Sequence, residues 1–187
     1  PEEWPFVDVA ESDWFFQAVK HVFEHGIMVG TSDTTFEPQS SVTRGQVVQM
    51  LYNLEGQPAV TGEDGFTDVQ SKDWWYNAVV WASQNEVVSG YGDGTFQPKR
   101  NISRQEFAQM LFNYAKFKGY DLTATGDLTK FPDGGDVAGW AETAMQWANG
   151  NELINGHADT GKLDPLGTTV RAQAASILTK FHQTFVN

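Results

Sequence analysis

Apolar residues recur along this chain at steps of three and four, broken at regular intervals by polar stretches rich in turn-forming residues. Phe15, Ala18, Val19, Val22 and Phe23 mark one buried face of a helix. Asp13 stands where an N-cap belongs, and Gly26 stops the helix. A loop from Gly30 to Pro38 follows, its Asp and Thr residues suited to turns and its Phe36 a plug into the core. The next helix opens on Thr43-Arg-Gly-Gln46, a capping box in which hydroxyl and residue three places on satisfy each other's backbone amides. Behind it Val47, Met50, Leu51 and Leu54 keep the i, i+3, i+4, i+7 pattern. The predicted unit is helix, ordered loop, helix, with any strand content confined to short loop pairings.

That unit repeats. Phe6, Asp8, Val9, Asp13, Trp14, Ala18, Val19, Gly30, Phe36, Pro38, Arg44, Met50 and Leu51 all recur in type 60 residues further on, from Phe66 to Leu111. The second copy has its own box, Ser103-Arg-Gln-Glu106, and its own stripe of Phe107, Met110, Leu111 and Tyr114. A looser third copy runs through Phe131, Asp133, Trp140, Ala144, Gly156, Pro165 and Arg171, with Ala174, Ile177, Leu178 and Phe181 as its stripe. Segments 55 to 65 and 115 to 130, rich in Gly, Pro, Thr and Asp, read as connections, giving modules at 1–56, 57–118 and 119–187. Helices of about 12 residues are marginal alone. The expected fold is therefore all-α: three repeats packed round a shared core as a pseudo-threefold helical bundle, with grooves between neighbours.

Charge narrows the partners. The net charge of −12 argues against a surface that tracks nucleic-acid phosphates. No stretch approaches the roughly 20 apolar residues of a membrane span, and the first residues lack the pattern of a signal peptide, so the chain reads as a soluble piece cut from a longer one. Without cysteine there is no disulfide or thiolate chemistry. His21, His25, His157 and His182 are scattered; His21 and His25 lie one helical turn apart, which favours a surface pair over a metal site. Asp33, Asp93 and Asp159 lack the alternating oxygen ligands of a calcium loop. No metal and no cofactor is expected.

The order Phe-x-Asp-Val, Trp with Ala four residues on, a glycine-bearing loop closing in Phe-x-Pro, then Thr-Arg-x-(Glu/Gln) resembles the S-layer homology module, from Phe6 to about Phe181. The resemblance implies a non-catalytic anchoring domain of a larger exported protein on the bacterial cell surface. Its implied partner is a peptidoglycan-linked secondary cell wall polysaccharide, commonly pyruvylated and held in grooves between modules. It also implies a binding arginine: Arg44, Arg104 or Arg171. Chemistry points the same way. Arginine in a helix's first turn adds its donor fork to the positive end of the helix dipole, and with free backbone amides could hold a carboxylate. Gly30, Gly90 and Gly156 would let a sugar approach the backbone, and Trp14, Trp74 or Trp140 could stack on its apolar face.

Plainer roles compete with each of these. The arginines could form salt bridges between helices. Asp8, Asp68 and Asp133 fit a turn or cap better than a ligand contact. Trp14, Trp74 and Trp140, like Trp81 and Trp147, sit at helical spacing that favours packing in the core. Val170 cannot cap, which breaks the third box unless Thr169 takes over, and this ranks Arg171 below the other two. Ser32 and Thr34 replace Gly92 and Gly94 of the second loop, so the grooves should differ. A cell-wall glycosidase is the enzymatic rival, weakened because its two carboxylates would have to come from repeated or isolated acids. A protein-interaction or self-assembly module is the other, since linked weak grooves gain avidity with any repeating partner.

Overall fold

The second helices begin where their boxes lie. In the computed structural model, which describes residues 3–63 and 65–186, α2 (Arg44–Leu54) follows Thr43 and α4 (Arg104–Lys118) follows Ser103. Both reciprocal boxes form: the Thr43 hydroxyl accepts from the Gln46 amide at 3.2 Å, and the Thr43 amide donates to Gln46 Oε1 at 2.9 Å. Ser103 and Glu106 do the same at 3.2 and 3.1 Å. α6 (Arg171–Phe185) has half a box, because Val170 offers no side-chain oxygen and only its amide is held, by Gln173 Oε1 at 3.1 Å. The Thr169 hydroxyl does not take over; it is buried without a partner.

The first helices start later than expected. α1 (Phe16–Glu24), α3 (Tyr76–Gln84) and α5 (Glu142–Gly150) are entered through Phe15, Trp75 and Ala141, all buried. Asp13 is therefore not the N-cap. Its carboxylate accepts from the Ala10 amide at 2.8 Å and its carbonyl from the Phe16 amide at 3.0 Å, and Asp73 repeats both bonds with Gln70 and Tyr76. The aspartate builds the turn before the helix, because the following aromatic has to drop into the core. Gly26, left-handed at φ 66°, ends α1 as expected, while Glu86 and Glu152 adopt the same conformation after α3 and α5. α4 runs past residue 115 and ends against Gly119 at φ 72°, so the second connection starts later than its composition suggests. Among the described residues there are no β-strands, only three isolated bridges, and no helix is long and apolar enough to cross a membrane.

The first helix of each module packs on the second helix of another. α3 packs against α2, α5 against α4, and α1 against α6. Val19 and Val22 of α1 face the stripe that includes Leu178, Ala78 and Val79 of α3 the one that includes Leu51, and Ala144 and Ala148 of α5 the one that includes Leu111, all essentially inaccessible to solvent. The bridges follow the same circuit: Thr43 with Asn101, Ser103 with Thr168, and Ser41 with Val170. So do the amides that open each second helix. Those of Arg44 and Gly45 donate to the carbonyls of Arg100 and Pro98, those of Arg104 and Gln105 to Gly167 and Pro165, and those of Arg171 and Ala172 to Ser40 and Pro38, all at 2.8 to 2.9 Å. A helix N-terminus leaves amides without intrahelical partners. Here a neighbouring module's loop supplies them.

Candidate ligand grooves

The loop that carries each arginine's partner is held by the aspartate of Phe-x-Asp. Asp8 Oδ1 and Oδ2 accept from the amides of Phe36 and Glu37 at 2.9 and 2.8 Å. Asp68 does so for Phe96 and Gln97, and Asp133 for Leu163 and Asp164, at 2.8 to 2.9 Å. Glu37, Gln97 and Asp164 have φ of 54° to 58°, a conformation unfavourable for residues with a Cβ, and the bidentate carboxylate stabilises it. Burial alone would raise the Asp133 carboxyl, but the amides of Asp164 and Leu163 hold it below the ordinary range. These three aspartates close the loop onto its own module across 28 to 31 residues, a longer reach than the local turn expected of them. Phe36 and Phe96 are fully buried plugs, as expected, and Leu163 fills that position in the third module.

Gly30, Gly90 and Gly156 lie under the Phe of the same motif. A Cβ on them would sit 2.5, 2.6 and 2.9 Å from Cε1 of Phe6, Phe66 and Phe131. Close packing of that ring is sufficient reason for glycine at all three.

Arg44, Arg104 and Arg171 are buried, at 4 to 6% exposure, and each reaches out of its own module. Arg44 Nε donates to the Phe96 carbonyl at 2.9 Å, Arg104 Nε to Leu163 at 2.8 Å, and Arg171 Nε to Phe36 at 2.7 Å. Nη2 of Arg104 and of Arg171 bonds the carbonyls of Asn155 and Val29, each at 2.6 Å. Arg44 instead spends Nη1 on Glu106 Oε2 at 2.5 Å, in a buried ion pair that Tyr91 joins by donating its hydroxyl to the same oxygen at 2.6 Å. The Arg44 guanidinium lies over the rings of Tyr91 and Phe96, and that of Arg171 over Phe36, at 4.5 to 4.7 Å. The salt bridge weighed for all three arginines thus forms at Arg44, while Arg104 and Arg171 rest on carbonyls. Arg171 is seated like the others despite its broken cap, because the carbonyls that fix it belong to the first module. Burial lowers the pKa of Arg104 and of Arg171, leaving both charged at neutral pH. The expectation of free amides beside the arginines is overturned: the first two amides of each helix are already bonded to loop carbonyls.

Two grooves lie beside Arg44 and Arg171; Arg104, Trp14 and Gly156 line neither. The larger, about 730 Å³, is lined by Gly90 and Tyr91 of the second loop, Glu106 and Gln109 of α4, Arg44 from the first module and Trp140 from the third. The smaller, about 400 Å³, is lined by Gly30 and Thr31, Gln46 and Gln49 of α2, Trp74 from the second module and Arg171 from the third. All three modules contribute to each groove. Trp14, Trp74 and Trp140 are 68, 59 and 59% exposed, which overturns their reading as core residues, whereas Trp81 and Trp147 are buried as expected. The helical stripe misled because these tryptophans precede the helix, in the turn that buries Phe15, Trp75 and Ala141 in their place.

Sequence reasoning passed over the groove floors. Gln49 Nε2 bonds Asn53 Oδ1 at 2.9 Å and Asn53 Nδ2 bonds the Ile27 carbonyl at 3.1 Å; Gln109, Asn113 and Val87 repeat both bonds at 2.8 and 3.0 Å. The signal was present, since Gln and Asn recur at the 60-residue spacing on the polar side of the helix. In the third module Ser176 and Lys180 take these positions, and Lys180 pairs with Glu152 at 3.6 Å. Glu106, a capping residue by its place in the sequence, is also the partner of Arg44 and Tyr91. Burial would raise its pKa, yet the hydrogen bonds from Tyr91 and Ser103, with Arg44, hold it below the usual glutamate value; burial and the same bond push the Tyr91 phenol up to about 12.

Comparison with known proteins gives partial matches to several larger bacterial proteins. The chain is 31% identical to an endoglucanase of Bacillus sp. strain KSM-635 over 94% of its own length but 18% of the enzyme's. It is 26% identical to a surface-layer 125 kDa protein of Lysinibacillus sphaericus, covering 88% of the chain and 14% of that protein. A cellulosome-anchoring protein of Acetivibrio thermocellus is 23% identical over 78% of the chain and 33% of its own length. The chain therefore corresponds to a minor part of each relative. Residues 5–48 and 65–108 match the S-layer homology domain, and with the repeat, the arginines and the loop clamps in register, the chain belongs to the S-layer homology family of cell-surface modules.

Proposed function

We propose that this chain anchors a larger protein to the bacterial cell wall by holding a carboxylate-bearing, pyruvylated secondary cell wall polysaccharide in its inter-module grooves. The observation that carries this reading is the composition of the grooves: a buried arginine, a polar Gln–Asn floor and a solvent-exposed tryptophan, drawn from three modules. A guanidinium has five N–H donors, and at Arg171 two of its nitrogens are committed to carbonyls, which leaves donors for a carboxylate, whereas Arg44 already shares its charge with Glu106. The indole face supplies an apolar surface for a sugar ring. On a chain of net charge −12, a local cation is what an anionic polymer needs. Relatives that include a surface-layer protein and a cellulosome-anchoring protein support the anchoring role.

A catalytic reading has little support. Asp8, Asp68 and Asp133 are spent on backbone amides and Glu106 on Arg44, so they form no carboxylate pair poised over a bond. The test is sedimentation of the purified chain with native cell-wall sacculi and with sacculi stripped of their secondary polymer. Binding to native sacculi alone is expected. Binding to both, or to neither, would overturn the proposal, and concentration-dependent self-association without wall binding would favour a self-assembly module.

A further inference from the structure

The fold assembles three histidines that the sequence keeps apart. His21 and His25 lie one turn apart on α1, and His182 comes from α6, the helix against which α1 packs. One ligand atom from each falls within 4.8 Å of the other two. His21 Nε2 faces His182 Nδ1 at 3.0 Å, and the His25 ring stacks on His21 with centroids 4.1 Å apart. The reading of scattered histidines is thereby corrected.

We propose that His21, His25 and His182 form a binding site for a divalent transition-metal ion of the imidazole-preferring kind, Zn²⁺ foremost. Three nitrogen ligands with an open fourth position for water match a tetrahedral zinc centre. Zinc–nitrogen bonds of 2.0 to 2.1 Å set tetrahedral ligands about 3.3 Å apart, so the facing nitrogens of His21 and His182 are already near the required spacing, and each ring has to turn its lone pair from its neighbour toward the ion. His25 is the exposed member and free to swing inward. Its Nδ1 bonds the His21 carbonyl at 2.8 Å, which keeps the proton there and leaves the Nε2 lone pair for a metal. Of the facing nitrogens of His21 and His182 one now carries the proton; moving it to that ring's other nitrogen gives both lone pairs to the ion with no loss of charge balance. Burial, together with the neighbouring histidines, lowers the pKa of His21 and His182, in keeping with neutral ligands. The location gives the site a purpose. α1 and α6 belong to the first and last modules, so no short stretch of chain ties them, and a metal there staples the one seam of the circuit that the polypeptide leaves open.

The experiment is titration of the chelator-treated, tag-free chain with ZnCl₂, read by calorimetry and by thermal unfolding. One Zn²⁺ per chain is expected, with Tm rising by roughly 5–10 °C at free Zn²⁺ about 100-fold above Kd. His25→Ala, at an exposed position, and His182→Gln should each weaken binding at least about tenfold, whereas His157→Ala, in the third loop, should leave it unchanged. Absence of stoichiometric binding, or equal affinity in His25→Ala and the parent chain, would overturn the site. Because His25→Ala removes no buried group, the answer stands even if His182→Gln fails to fold.

Discussion

At the scale of single residues, the arginines and the tryptophans divide the work of a groove in a way that mutation can separate. Arg171→Ala would strand the carbonyls of Phe36 and Val29, at a cost of about 3 kcal/mol, and lower Tm by roughly 6–12 °C. Arg44→Ala would leave Glu106 as a buried, uncompensated charge and cost about 3–5 kcal/mol. Loss of wall binding in either variant therefore carries a structural component, to be read alongside the melting curve. Trp74→Ala and Trp140→Ala remove exposed rings; Tm should move by less than about 2 °C while sedimentation with sacculi weakens roughly 3- to 10-fold. Glu106 sets the two grooves apart, because Gln46 and Gln173 occupy its position in the other modules. Glu106→Gln keeps an oxygen for the Ser103 amide and releases Arg44 for a ligand, so the larger groove should bind an anionic glycan more tightly. The same change should flatten the acid limb of stability. With its folded pKa depressed, Glu106 stabilises the fold above the ordinary glutamate pKa, and that contribution is lost as pH falls through the lowered value. The parent chain should thus lose stability on acidification more steeply than Glu106→Gln, as urea melts at stepped pH would record.

At the scale of elements, the second helices were legible and the first helices less so, for a physical reason. Thr43 and Ser103 cap through their own side chains, a local signal that needs no tertiary structure. The starts of α1 and α3 depend instead on burying Phe15 and Trp75, a tertiary event, and Asp13 imitates a cap while serving the turn before it. Trp14 was misplaced for the same reason: periodicity extended through a turn turns an exposed ring into a core residue. The arginines are legible because they repeat, but their partners lie 51 to 142 residues away in other modules, where no local pattern points. At α6 the missing hydroxyl is open to repair. Val170→Thr has nearly the same shape and supplies the oxygen that Thr43 offers to α2, so it should stabilise the chain by about 0.5–1 kcal/mol, a Tm gain of roughly 1–4 °C. No gain would mean that the pairing of Val170 with Ser41 holds the cap too far from the Gln173 amide.

At the scale of the whole molecule, repeats in sequence are not units of stability. α3 belongs to the second module and packs on α2 of the first; α4 belongs to the second and packs on α5 of the third. The fragment 57–118 would contain both helices and neither main partner. It would also lose the carbonyls of Gly167 and Pro165 that close the start of α4, and the Leu163 and Asn155 carbonyls that seat Arg104. What remains is a nine-residue and a fifteen-residue helix with half their apolar faces open to water, lengths that are marginal in isolation. Cutting off residues 119–187 does little better, since α1 then lacks α6 and α4 lacks α5. The intact chain should therefore unfold in one transition, coincident by far-ultraviolet circular dichroism and tryptophan fluorescence, whereas the isolated 57–118 fragment should show little helix and no sigmoidal melt. Three beads on a string predict the opposite: fragments that fold alone and a parent whose melt is their sum. A well-folded 57–118 fragment would show that contacts within a module suffice, and the grooves, which draw on three modules each, would then need a separate explanation for their rigidity.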